Sequence, residues 1–191
     1  MKRYLLQGRF EKKILLLEDY KLEMTHKQLL NIRQAKGNIE KTLQSMDRSK
    51  NALIIPETTN FPCFDFMLYL VEDVTEPTVV FIQTTISTAD AHNKNNGDIE
   101  KLVDPMGVTI RALNSIFDDT CEGIILPKQQ FESNQETKTV VFKKKNGKQL
   151  DNVFYVYASG VEEEKQNHAT IPKNVIVLSK EHLEKNWKII F

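Results

Sequence analysis

The segment TVVFIQTTIS, from Thr78 to Ser87, carries the strongest strand signal in the 191-residue chain. It is dense in β-branched and aromatic residues, which fit the pleated surface of a sheet. Its hydrophobicity is nearly continuous, which is typical of a central strand that is covered on both faces. The segment therefore predicts the middle of a β-sheet in a layered fold.

Further strand signals lie on both sides of this segment. NALIIP (51–56) predicts a short strand that Pro56 stops, and CFDFMLYL (63–70) predicts the next strand. On the C-terminal side, EGIILP (122–127) predicts a short buried strand and NVIVLS (174–179) a final one. Two β-rich runs flank Asn146-Gly147, which is the strongest short-range signal for a β-hairpin.

Helical periodicity predicts helices that can cover the sheet. Thr25 can cap a long helix that Gly37 weakens, because apolar residues follow at gaps of three and four, at Leu29, Ile32, Ala35, Ile39, Leu43 and Met46. A second helix is expected from Asp98 to Phe117, either kinked or divided by Pro105 and Gly107. KEHLEKNW (180–187) predicts a terminal helix capped by Ser179. The polar segment TADAHNKNNGD (88–98) predicts a loop.

The order of these elements predicts an α/β or α+β architecture in which helices flank one central mixed β-sheet. The length suits a single domain over residues 1–191. The chain is either a whole protein or a fragment of a longer one, and its sequence does not decide between the two. The oligomeric state is equally open at this point.

The composition bounds the classes of function. Lys plus Arg equals Asp plus Glu at 26 each, so an overall basic excess does not point to nucleic acid, although a local basic face would suffice. No run of about 18 apolar residues occurs, so we expect no membrane span. The N-terminal residues 1–13 are too charged for a signal peptide. Cys63 and Cys121 lack framework spacing, which predicts buried free thiols.

Standard catalytic signatures are missing, but one polar residue stands in each of two neighbouring strands. The sequence has no phosphate-binding glycine loop, no nucleophile elbow and no H-E-x-x-H, and its four histidines are scattered. Asp65 and Gln83 interrupt otherwise apolar strands. A carboxylate and an amide oxygen at adjacent strand ends can both bind Mg²⁺ or Mn²⁺, which supports phosphodiester hydrolysis. Alternatively, backbone groups satisfy both side chains at the strand ends.

The residues around this pair resemble a known family. A helix, a strand, a strand with Asp and a strand with Glu or Gln, in that order, form the core of the restriction-endonuclease-like, PD-(D/E)xK superfamily. The sequence around these strands is similar to that of the divergent branch in Crinkler effectors and in the retrotransposon hot spot proteins of trypanosomes. The matching residues are Pro56, Asn60, Phe61, Pro62, Asp65, Gln83, Thr85, Ser87 and His92.

The resemblance implies a restriction-endonuclease-like fold and a nuclease that cleaves DNA with Mg²⁺ or Mn²⁺. Asp65 and Gln83 would be its metal ligands. The first helix would add Glu40, and Glu57 is a second acidic candidate. Such a domain would be the effector part of a larger protein. It would act inside a cell, in the nucleus. After secretion, this could be the nucleus of a host cell.

One departure from the family pattern bears on activity. Active members carry a lysine two residues after the acidic or amide residue, where it helps to activate the attacking water. Thr85 stands there in this chain, and a neutral hydroxyl is a poor base. His92 is the candidate replacement, because histidine exchanges protons near neutral pH, and Lys94 and Lys101 are others. If none fills the role, the site is a decayed nuclease site.

The basic turn KKKNGK (143–148) is the candidate contact to nucleic acid. Its members Lys143, Lys144, Lys145 and Lys148 would hold a phosphate backbone without reading sequence, and the alternative is a solvated hairpin tip. Tyr155 and Tyr157 offer either stacking surfaces or core residues.

Three classes of function follow from these features. The chain is a nuclease or its decayed form, a non-catalytic module on the same fold, or an unrelated α/β interaction domain. The module would bind nucleic acid or a host protein. In the interaction domain, Asp65 and Gln83 would be structural.

Overall fold

In a computed structural model of the chain, the structure describes residues 31–35, 39–57, 61–71, 76–130, 133–166 and 170–187. The strands in these ranges are β1 (Asn31–Ala35), β2 (Ala52–Pro56), β3 (Phe66–Leu70), β4 (Thr78–Thr85), β5 (Cys121–Gln130), β6 (Ser133–Lys144), β7 (Val153–Ser159) and β8 (Ile176–Leu178). The helices are α1 (Ile39–Ser45), α2 (Ala89–Asn96), α3 (Asp98–Val103), α4 (Val108–Phe117) and α5 (Lys180–Trp187).

Six strands form one mixed sheet in the order β1-β2-β3-β4-β7-β8. β3 is antiparallel to both of its neighbours, whereas β1–β2, β4–β7 and β7–β8 are parallel pairs. The predicted α+β architecture with a central mixed sheet is confirmed. The segment that predicted the middle of the sheet is β4, which is buried from Thr78 to Gln83.

The sheet separates two hydrophobic cores of different size. The larger core contains Val79 and Phe81 of β4 and is covered by α1, α3 and α4. The smaller core contains Val80 and Ile82 and is covered by Leu183 of α5. Because side chains alternate along a strand, Gln83 continues the row of Val79 and Phe81 at the edge of the larger core.

β5 and β6 form a separate two-stranded antiparallel sheet, and a turn at Asn146-Gly147 follows it. Gly147 has a φ of 82°, and the Leu150 N–H donates to the Phe142 carbonyl at 2.8 Å. The predicted turn at Asn146-Gly147 is therefore correct, but the two β-rich runs beside it do not pair with each other as long strands. β6 is already paired with β5, and the apolar β7 is buried between β4 and β8 in the main sheet.

The prediction of one long helix from Thr25 to Met46 is wrong where the structure can test it. Asn31–Ala35 is strand β1, and its backbone pairs in parallel with β2. Within the described residues, the helical part of this segment is α1. The predicted cap Thr25 lies outside the described residues. Backbone pairing with β2 outweighs the helical periodicity of residues 31–35.

The predicted loop at 88–98 is also wrong, because most of it is helix α2. The Thr88 hydroxyl accepts a hydrogen bond from the Ala91 N–H at 3.3 Å, and Gly97 ends the helix with a φ of 61°. These two caps stabilise a helix whose polar composition hides it.

Three other predicted elements are present, two of them with adjusted bounds. The helix from Asp98 onward is divided into α3 and α4 at the segment that holds Pro105 and Gly107. The strand at EGIILP extends through Gln130, and the terminal helix begins directly after Ser179. In the described part of the chain, no helix has the length and apolar character that a membrane crossing requires.

Candidate functional site

The structure brings Asp65 and Gln83 together at one end of the β3–β4 pair. Asp65 lies one residue before β3, and its N–H donates to the Ile82 carbonyl at 2.8 Å. The antiparallel register, in which Phe66 faces Ile82, places Asp65 beside Gln83. The Gln83 amide Nε2 donates to Asp65 Oδ2 at 3.0 Å.

One oxygen of the Asp65 carboxylate accepts all of the hydrogen bonds. Oδ2 also accepts from the Thr84 N–H at 2.6 Å and from the Thr84 hydroxyl at 2.5 Å. Within the described ranges, no residue donates a hydrogen bond to Asp65 Oδ1 or to Gln83 Oε1. These hydrogen bonds link the ends of β3 and β4 through Asp65 Oδ2.

The two acidic candidates lie in different places. Glu57 directly follows β2, and because β2 is antiparallel to β3, it lies at the same edge of the sheet as Asp65. Its side chain is exposed. Glu40 on α1 forms an ion pair with Arg111 on α4, with Oε1 and Nε 2.6 Å apart. Its catalytic role stays a prediction.

Thr85 is bonded within its own strand end. Its hydroxyl lies 2.9 Å from Ser87 Oγ and accepts from the Ser87 N–H at 3.1 Å. Its carbonyl accepts from the Gly160 N–H at 2.8 Å. These contacts end β4 and bring no positive charge to the site.

His92 lies on α2, where its imidazole contacts a buried carboxylate. His92 Nδ1 is 2.7 Å from Asp98 Oδ2, and the Tyr157 hydroxyl donates to the same oxygen at 3.0 Å. Asp98, the first residue of α3, is only 3% exposed. The His92 and Tyr157 rings meet edge to face, with centroids 6.0 Å apart. We call these three residues the His92–Asp98–Tyr157 cluster.

The sequence placed Asp98 only at the start of a predicted helix, so Asp98 was missed as a member of this cluster. A signal was present, since His92 and Asp98 lie on either side of the helix break at Gly97.

The tyrosines of β7 belong to the core rather than to a stacking surface. Tyr155 is 3% exposed and Tyr157 is 0% exposed. Their rings are 5.3 Å apart, and the Tyr155 hydroxyl donates to the Cys63 carbonyl. Burial and then the charge of Asp98 raise the pKa of Tyr157 far above its ordinary range, so its hydroxyl remains a donor.

The prediction of buried free thiols is confirmed for both cysteines. Burial raises the pKa of the Cys63 thiol to about 11, and burial likewise raises the pKa of the Cys121 thiol to about 11. Neither thiol is therefore a nucleophile at neutral pH.

Two lysines of the basic turn are already paired with an acidic side chain. Lys144 and Lys148 lie 2.9 Å and 3.0 Å from Glu76 Oε1. Hydrogen bonds from Lys144 and then Lys148 lower the pKa of Glu76. Among the residues that the structure covers, no acidic side chain forms an ion pair with Lys143 or with the exposed Lys145.

The remaining candidates are also placed by the structure. Lys94 pairs with the buried Asp90 at 2.8 Å, and Lys101 is exposed on α3. Asn60, one of the residues in the family wording, lies outside the described residues. Within the described ranges, no cluster of three or more His, Cys, Asp or Glu side chains suits a metal ion.

No protein-family model matches the chain, and neither a curated protein nor a solved structure matches it. The class that the fold defines is an α+β protein with a mixed sheet, and a fold of this class does not by itself determine function.

Proposed function

We propose that the chain is a metal-dependent nuclease of the restriction-endonuclease-like type, in the divergent branch that resembles Crinkler effectors. The observation that carries the proposal is the contact between Asp65 and Gln83 at adjacent ends of β3 and β4. The element order supports it, because α1, β2, β3 and β4 follow in the order that the resemblance implied.

The donor set fits a hard divalent cation. Mg²⁺ binds oxygen ligands, commonly uses one or two carboxylates, and takes its other ligands from water and phosphate. Asp65 Oδ1 would supply the anionic oxygen and Gln83 Oε1 a neutral one. When bound, Mg²⁺ or Mn²⁺ would stabilise charge on the phosphate that is cleaved.

The substrate under this proposal is nucleic acid, and by resemblance it is DNA in a nucleus. The exposed Lys145 and its neighbour Lys143 are the lysines of the basic turn that remain for a phosphate backbone. Lys144 and Lys148 would reach phosphate only by leaving Glu76.

The proposal is tested by plasmid cleavage with Mg²⁺ or Mn²⁺. We compare the wild type with Asp65→Asn, which keeps the shape of the side chain and removes its charge. Asp151→Asn is the matched control, because Asp151 is an exposed aspartate in a turn. We expect cleavage by the wild type and by Asp151→Asn, and its loss in Asp65→Asn with an unchanged unfolding temperature.

The other outcomes decide against the proposal. If plasmid DNA stays intact with both metals but is shifted in a gel, the chain is a nucleic-acid-binding module on this fold. If DNA is neither cut nor bound, an interaction domain that binds a host protein becomes the better interpretation. If Asp65→Asn cleaves at the wild-type rate, the metal site is not at Asp65.

A further inference from the structure

We infer that His92 is the general base of the proposed reaction, and that Asp98 and Tyr157 are positioning residues that orient it. The inference rests on the proposed function, and it supplies the proton acceptor that Thr85 cannot. The juxtaposition that carries it is a buried carboxylate held between an imidazole and a phenol from three different elements.

The contact with Asp98 fixes the state of the imidazole. A carboxylate only accepts hydrogen bonds, so a neutral His92 must carry its proton on Nδ1, which is 2.7 Å from Asp98 Oδ2. This leaves the lone pair on Nε2. Within the described part of the chain, no residue bonds to His92 Nε2, and the side chain is 21% exposed. Water can therefore reach the basic nitrogen.

Asp98 is itself held rigidly. Its carboxylate is almost fully buried, and a buried charge requires partners. Tyr157 supplies one partner from β7, and its raised pKa keeps the proton on the phenol. The His92 imidazole is thus oriented in two ways. Helix α2 holds its backbone, and Tyr157 of the sheet holds the Asp98 carboxylate that contacts it.

Tyr157 of the cluster and Gln83 lie on the same face of neighbouring strands. Tyr157 on β7 is the register partner of Gln83 on β4, and parallel partners point to the same face. The His92 ring packs against Tyr157, so one side chain separates the imidazole from the row that holds Gln83. Proton transfer and metal binding would therefore share one edge of the sheet.

The charged groups around His92 come from each element that packs on it. Asp98 faces it from α3 and Tyr157 from β7. On its own helix, the carboxylate of Asp90 is paired with Lys94 at 2.8 Å. Asp98 is thus the carboxylate in direct contact with the imidazole.

The step is a hydrolysis without oxidation or reduction. His92 Nε2 takes a proton from a water molecule while the water oxygen forms a bond to phosphorus. The bond from phosphorus to the leaving sugar oxygen breaks, and that oxygen takes a proton from solvent. The products are a phosphate monoester and a hydroxyl, and His92 returns its proton to solvent.

The experiment combines a readout of His92 that needs no cleavage with a readout of cleavage. In protein labelled with ¹⁵N at histidine, we expect the His92 signals to show a protonated Nδ1 and a free Nε2. The signals are assigned by their absence in His92→Gln. In Asp98→Asn we expect the other tautomer, because the new amide can donate to Nδ1.

Cleavage is measured in parallel from pH 5 to pH 9 with Mg²⁺. We expect His92→Gln and Asp98→Asn to lower the rate by about 10²–10⁴-fold, which is the usual contribution of a general base and its orienting partner. The acid limb of the wild-type pH profile should disappear in His92→Gln. His182→Gln is the matched control, because His182 contacts Ser179 beside α5 and should leave the rate unchanged.

The outcomes separate the two proposals. If the wild type cleaves DNA and His92→Gln cleaves equally fast with the same pH profile, the inference is overturned and the proposed function stands. A free Nδ1 in the wild type also overturns the inference. If His92 shows the expected tautomer but the wild type cuts no DNA with either metal, the proposed function fails, and the role of His92 as base fails with it.

Discussion

Asp65 and Asp98 are both carboxylates that accept several hydrogen bonds on a single oxygen, but their surroundings differ. Asp65 is half-buried at an open edge of the sheet, and its donors are the neutral groups of Gln83 and Thr84. Asp98 is buried, and its partners are an imidazole and a phenol. The two aspartates thus have the same chemistry and different access to water.

The difference shows that burial can give two aspartate carboxylates different roles. A carboxylate that is open to solvent has a small desolvation cost, and it can exchange a bound water molecule for a metal ion. A buried carboxylate must keep its partners, so it serves to orient them. This is why we assign ligand binding to Asp65 and positioning to Asp98.

The strongest test of the comparison is the stability of the two alanine variants. Asp98→Ala should lower the free energy of unfolding by about 3 kcal/mol, because it leaves buried partners without an acceptor. Asp65→Ala should cost about 1 kcal/mol, since water can replace the lost acceptor at the open edge. Urea unfolding followed by circular dichroism measures both. Equal losses would contradict the distinction.

A second test uses the metal as a ligand of the folded state. At a Mg²⁺ concentration about a hundred times its Kd, binding should raise the free energy of unfolding by about 2.7 kcal/mol. Asp98→Asn should keep this increase, whereas Asp65→Asn should lose it. Urea unfolding with and without Mg²⁺ gives the answer, and Ca²⁺ at the same concentration tests selectivity. Stabilisation that persists in Asp65→Asn would place the metal elsewhere.

The third test uses alkaline pH and the thiol of Cys63, whose ordinary pKa is 9.0 and whose pKa in the fold is about 11. Burial is the main cause, and the charge of Asp98 adds to it. Because the folded state keeps a proton that the unfolded chain releases, this contribution is complete below pH 9 and is lost as the pH rises through 11. The expected loss is about 2 kcal/mol.

This loss is measured as the difference in unfolding free energy between pH 8 and pH 11. Cys63→Ala should show a smaller decrease than the wild type, while Cys121, which also has a raised pKa, provides the parallel variant. An identical decrease in the wild type and in Cys63→Ala would show that the Cys63 thiol does not titrate in this range.

The smallest expected effect concerns Glu76, a third acidic side chain. It is 23% exposed and is paired with Lys144 and Lys148. Glu76→Gln should release both lysines, raise DNA affinity severalfold at low salt, and steepen the salt dependence by up to about two phosphate contacts. Fluorescence anisotropy at several salt concentrations measures this, with the exposed Glu164→Gln as the control. Unchanged affinity would exclude the basic turn as the contact.

The fold was predictable where the residues of a single segment indicated its secondary structure. The continuous apolar run of β4 marked the central strand, and the polar interruptions at Asp65 and Gln83 marked the strand ends that meet. β1 was not predictable in this way, because its pairing with β2 is made by backbone groups that no side-chain pattern encodes.

The His92–Asp98–Tyr157 cluster was hidden for a related reason. Helix α2 is polar and depends on its caps at Thr88 and Gly97, so its composition predicted a loop. Contacts from distant segments add to those caps, including the side chain of Gln166, which accepts from the Ala89 N–H at 3.2 Å. Such contacts exist only after the chain has folded, and a single sequence does not display them.

The parallel pairing of β4 with β7 affects the order in which contacts can form during synthesis. Asp65 and Gln83 are 18 residues apart and meet within the local β3–β4 hairpin, whereas Tyr157 and Asp98 are 59 residues apart. Contacts of long sequence separation form late, because their loops are costly to close. On the ribosome, the Asp65–Gln83 contact can therefore form well before Tyr157 has been added. Under the two proposals, a nascent chain would carry the ligand pair without its oriented histidine and would stay inactive until β7 is in place.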